Sequence, residues 1–214
     1  MKSATKTTVT GVGILMGVAG IEHGIGEILQ GSKAPDGLIF PSWPNSPFFQ
    51  IVGGEPAMSI IPNLLVTGIL AILISLIFLA WVTKFVQRKK GGLILILISV
   101  VLLLLGGGIF PPVMGIILGV LGTKINAPLT WWRAHLSVSL QQSLKKIWPW
   151  SFTACIIGWL LLFPGINILG YFFGVNDPNL TIIFILFAFV SLLLTIFSGF
   201  AYDIQRQTPA MSGK

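Results

Sequence analysis

Gly106-Gly107-Gly108-Ile109-Phe110-Pro111-Pro112 lies in the middle of the longest apolar run of the chain, residues 92–122. Glycines cost backbone entropy in a helix, and prolines lack the amide donor and crowd the preceding turn. A helix entering this stretch is therefore expected to stop. Crossing a hydrocarbon layer takes about 20 residues. The run is too long for one passage and short for two.

Charge decides between the readings. If 92–122 goes out and comes back, Lys2 and Lys6, the loop with Lys84, Arg88, Lys89 and Lys90, the loop with Lys124, Arg133, Lys145 and Lys146, and the tail with Arg206 and Lys214 all share one side. Only Lys33 is left opposite. A single passage would divide the bases almost evenly, which the positive-inside bias disfavours. The stretch is thus expected to separate two short antiparallel helices, 92–108 and 112–126, either crossing fully or forming a re-entrant hairpin.

Composition agrees with a lipid environment. Of 214 residues, 54% are hydrophobic and 9% charged, against about 25% charged in soluble domains. Further spans are read at 7–30, 60–83, 149–173 and 180–201. The expected fold is an all-α polytopic membrane protein, one integral membrane domain over 1–214 with about six membrane helices. Its place would be the plasma membrane, multi-pass, with both termini cytoplasmic and the bilayer as its first partner. The net charge of +7 comes in short clusters between apolar runs, as in cytoplasmic loops, and does not point to nucleic acid.

Two segments stand apart. The loop 31–59 is rich in proline and aromatics and is expected to fold over the outer mouth of the bundle, as a lid or as an interfacial anchor through Trp43 and its phenylalanines. Residues 129–147 place Leu129, Trp132, Leu136, Leu140, Leu144 and Ile147 at helical spacing, with Arg133, Gln141, Lys145 and Lys146 on a polar side. That pattern predicts an amphipathic helix in the cytoplasmic interface, anchored by Trp131, Trp132, Trp148 and Trp150. His135 belongs to it as a polar surface residue.

The first span carries the chemistry. Gly13, Gly17, Gly20 and Gly24 recur at spacings of four and three, a single helical face on which another helix can approach closely. Glu27 continues that face, His23 flanks it and Glu22 projects roughly opposite. Ionisable groups inside a span are costly unless paired or hydrated. Together with Glu55 of the loop they are the candidate ligand or transport residues.

Several functions fit these residues. His23 and Glu27, one turn apart, suit a proton- or cation-coupled transporter of small solutes, and short broken helices point the same way. His23 among Gly20, Gly24 and Gly26 also suits a cofactor or metal, or intramembrane enzymology with Glu55. Two ligands are too few for a metal, however, so no metal site is assigned and no cofactor is required. A structural role asks least: a carboxylate paired with Lys33 or capping loop amides, in a structural or accessory subunit of a larger membrane complex or a homo-oligomer. The single Cys155 excludes an intrachain disulfide, and no phosphate loop, zinc-protease motif or nucleophile elbow is present.

Overall fold

The computed structural model describes residues 3–212, and the side chains of 3–207. It is mostly helical. Four segments are long and apolar enough to cross a membrane: Ala4–Leu29, Leu64–Phe85, Val138–Phe173 and Pro178–Gln207. Two shorter apolar helices, Gly91–Leu104 and Phe110–Gly122, accompany them. The chain is therefore an all-α membrane bundle.

Helix α1 (Ala4–Leu29) is central, and the antiparallel α2 (Leu64–Ala80) lies in its glycine groove. Gly13 meets Val82, Gly17 meets Leu79, Gly20 meets Ser75, and Gly24 meets Ile72 and the backbone of Gly68. A Cβ at Gly24 would stand 2.7 Å from the Gly68 carbonyl oxygen. The small-residue face thus serves packing within the chain. Helix α2 starts at Leu64 rather than at 60, because Asn63 caps it by accepting from Val66 N. Pro62 therefore precedes the helix.

The glycine-proline stretch does turn the chain. Helix α3 (Gly91–Leu104) and α4 (Phe110–Gly122) form an antiparallel pair, with Gly92 packed on Gly119 and Gly122, and Gly115 on Ser99. Gly106 and Gly108 adopt positive φ, which suits a residue without a Cβ. Helix α4 starts at Phe110, before the expected 112, since Pro111 and Pro112 sit in a first turn whose amides have no intrahelical acceptor to lose, and it ends at Gly122 rather than 126. Helix α3 ends at Leu104, short of the expected 108, because the turn gives its hydrogen bonds elsewhere. Gly106 N donates to Met58 O, Ile109 N to Pro56 O, and Ile60 N donates to Leu104 O.

Those partners belong to a small antiparallel hairpin, β1 (Ile39–Pro41) and β2 (Pro56–Met58), within the loop expected to be irregular. At the opposite end of the bundle the basic segments gather. Lys6 bonds Gln87, Arg206 bonds Asn126 and Arg133 bonds Gln207. Asp203 accepts from Ser3 Oγ, Ala4 N and Thr5 N, capping α1 with a carboxylate from the last helix. Lys33, by contrast, lies beside the start of α2, where Leu64 N donates to its carbonyl.

Residues 129–147 are not one surface helix. A short α5 (Thr130–His135) ends where Leu136 becomes extended, and Ser137 caps α6 (Val138–Leu160), which runs unbroken through Lys145, Lys146 and Pro149 into the membrane rod. Gln141, expected on the polar side, is buried and donates to Leu136 O across the break. The tryptophans divide accordingly. Trp132 packs on Phe197 and Phe200, and Trp148 on Phe152 and Tyr202, whereas Trp131 and Trp150 stay exposed. The seam between α6 and α8 (Pro178–Ser212) is the reason, since it draws in the aromatic faces of two expected anchors.

Pro164 and Gly165 lie in a single π turn, Leu161–Gly165, in which Ile166 N reaches back to Leu161 O. The helix then continues as α7 (Ile166–Phe173). The last helix is longer than the expected 180–201. It continues to Ser212, and its extra turns carry Asp203 to the start of α1.

Candidate functional site

The β-hairpin is pressed onto the last turns of α1. Gln30 Nε2 donates to Ser42 O and to Pro41 O, while Gly26 leaves room for the Ser42 carbonyl and the Trp43 ring. Ser42 N and Trp43 N continue the hairpin ladder to Glu55 O and Gly54 O. Glu55 is held there at φ 57°, a left-handed backbone that side chains rarely adopt. The strain aims its carboxylate at α1.

There it meets His23, which is only 2% exposed. The Nε2 atom lies 3.3 Å from Glu55 Oε2, and Nδ1 is hydrogen-bonded to Ser42 Oγ at 2.9 Å. Glu22 completes the group, with ligand atoms of Glu22, His23 and Glu55 all within 4.8 Å of one another. It stays on the side of α1 away from the glycine face, toward the α6 flank. Positions 22 and 23 are about 100° apart on a helix, and Glu55 reaches both from the loop.

Glu27 stands one turn beyond, fully buried, with no hydrogen-bond partner for either carboxylate oxygen. The hydroxyls of Thr67 and Ser42 are beside it, and the Gly106 backbone lies against its carboxylate. Gly108 is packed in the same way against the His23 ring. The glycines that turn the α3–α4 hairpin are therefore also the surface on which the buried acid and the imidazole rest. Among the described residues no lysine or arginine pairs with Glu22 or Glu27.

On the far side of the group a cavity of about 300 Å³ lies between α1, α6 and the aromatic loop. Leu15, Val18, Ala19, Trp159, Leu160 and Phe163 form its apolar part, and Phe48 and Phe49 close it from the loop. Glu22, Glu55 and Asn167 supply its polar atoms. Asn167 is 2% exposed, and its Nδ2 donates to Phe163 O, which leaves Oδ1 without a partner.

Of the expected site residues, Glu22, His23 and Glu55 converge and Glu27 lies behind them, next to Ser42. Of the expected ligand pair His23 and Glu27, only His23 is in the group that could hold a metal; Glu22 and Glu55 join it, Glu55 from a distant segment through the hairpin. His135 is in α5, stacked on Trp131 and bonded to its carbonyl. Sequence reading missed Ser42, Asn167 and the contacts of Gly106 and Gly108. Serine and asparagine in apolar or loop sequence carry no signal by themselves, and the glycines were read as a break alone. Comparison with protein-family models, curated proteins and solved structures finds no match to this chain.

Proposed function

We propose that this chain is a membrane transporter of a small cation, coupled to proton movement, with Glu22, His23, Glu27 and Glu55 as its site. The observation that supports this reading is the position of His23, buried with one ring nitrogen on Glu55 and the other on Ser42. Imidazole accepts a proton at one nitrogen and releases one from the other, so a ring bridged in this manner relays a proton and is reset by exchange of its tautomer. Glu22 and Glu55 face the cavity, while Glu27 stands on the other side of the Ser42 hydroxyl.

The structural role rested on a carboxylate paired with Lys33 or capping loop amides, and among the described residues no lysine or arginine pairs with Glu22 or Glu27. Helix α2 of the same chain fills the glycine face. Acids without a lysine or arginine partner inside a span are costly and characteristically functional, and a purely structural role leaves them unexplained. The positive-inside rule assigns the basic end to the cytoplasm and the site to the outer half of the plasma membrane.

The test is dye-reported proton movement in proteoliposomes under a potassium diffusion potential. Wild-type protein is expected to move protons, and His23→Ala and Glu27→Gln to slow this at least about tenfold, the range of a lost proton-transfer group. Unchanged rates in correctly folded variants would remove these residues from the path.

A further inference from the structure

We propose that the cavity beside this site binds an organic monocation, an ammonium group carried on an aromatic or alkyl body. The inference deepens the transport reading, and rests on it only in taking the Glu22, His23 and Glu55 group as cation-binding. Its separate support is the opposite wall. Asn167 is buried, and the hydrogen bond from its Nδ2 to Phe163 O fixes the amide so that Oδ1 is the free atom. Glu22 Oε1 is buried and makes no hydrogen bond, with the Trp43 side chain beside the carboxylate. Glu22, Glu55 and Asn167 thus present acceptors, and acceptors call for a ligand that donates.

Helix α1 and the rod formed by α6, the π turn and α7 run parallel, as Gly11 meets Phe152 and Ile156 while the cavity is lined by residues 15–22 of one and 159–167 of the other. Glu22 and Asn167 therefore share one end, and Leu15 and Trp159 lie toward the other. A ligand with a charged head and an apolar body matches this polarity. Phe48, Phe49, Trp159 and Phe163 add ring surfaces, which attract cations.

Charge count favours one positive charge over two. Two carboxylates share a single imidazole, and Glu55 already contacts it. That leaves Glu22 as the acid in need of a cation. Exposed Val18 and Leu160 on the cavity rim belong to the flank of the bundle, so the ligand enters from lipid. Apolar amines enter lipid as the neutral base, leaving their proton in water, and take up a proton again at the polar end of the cavity, whereas hydrated metal ions have no neutral form.

The experiment measures binding of 2-phenylethylamine to the full chain in nanodiscs by isothermal calorimetry, with 2-phenylethanol and zinc chloride as competitors in chemistry. Saturable binding of one amine per chain is expected, with the alcohol at least tenfold weaker. Asn167→Leu and Glu22→Gln should each weaken the amine at least tenfold, and Asn167→Asp, which keeps an acceptor, should retain it. Equal binding of alcohol and amine overturns the proposal. So does amine binding insensitive to Asn167→Leu, or zinc binding through Glu22, His23 and Glu55 with no amine binding. Amine binding that survives His23→Ala while proton movement is lost separates the two readings, and absent amine binding with intact proton movement refutes this one alone.

Discussion

Gly108 carries two burdens in one residue. Its φ of +80° is left-handed, and a Cβ there would stand 2.5 Å from His23 Nε2. An alanine must therefore tolerate a disfavoured backbone, at about 1–2 kcal/mol, and also push the imidazole off Glu55. Gly108→Ala is expected to lower the thermal midpoint in detergent and to impair proton movement together. Gly107→Ala is the control, because its new methyl group meets the Leu102 side chain and backbone but not the site. If Gly108→Ala leaves proton movement at the wild-type rate, the imidazole does not depend on that contact. The ionisable trio of α1 was visible in the sequence because such residues are rare in apolar runs. Ser42 and Asn167 were not, since each becomes informative only through what it touches.

At the scale of the element, the α1–α2 pair depends on backbone approaching backbone. A Cβ on Gly68 would lie 2.5 Å from the Gly24 carbonyl oxygen, and neither atom belongs to a side chain that can swing aside. Overpacking of that kind costs about 1–3 kcal/mol. Gly68→Ala is expected to destabilise the protein by that amount in reversible detergent unfolding. Gly20→Ala should cost less, because its new methyl group meets the Ser75 hydroxyl, part of a side chain that can change rotamer. An equal cost at both positions would argue against a backbone-limited interface. The spacing of the α1 glycines foretold a close helix, though not which one. The amphipathic reading of 129–147 failed for a related reason: periodicity describes a face but not where the chain breaks, and the break at Leu136 leaves Leu140 and Ile147 exposed and buries Gln141.

For the molecule as a whole, the two ends differ in character. The basic tails and loops meet at one end, where Asp203 ties the last helix to the first, and the hairpin and the buried acids occupy the other. A cytoplasmic basic end predicts a labelling pattern. In a Cys155→Ser background, single cysteines at Arg88, Lys124 and Lys145 should be shielded from an impermeant maleimide in intact cells, and one at Lys33 should react. Reaction at 124 or 145 with protection at 88 would mean that the α3–α4 pair does not return the chain to its starting side.

The sequence by itself determined the apolar environment, the membrane helices other than the start of α6, and the turn that follows Leu104. These follow from local quantities: apolar length, glycine and proline conformations, and the distribution of charge. It also exposed Glu22, His23 and Glu27 as residues out of place in lipid. Only the tertiary structure decided that Glu55 and Ser42 close on His23, that the glycine turn supports Glu27, and that Asn167 faces the same cavity as Glu22. Those relations join segments far apart in the chain, and their chemistry arises from burial and proximity, which exist only once the helices have packed.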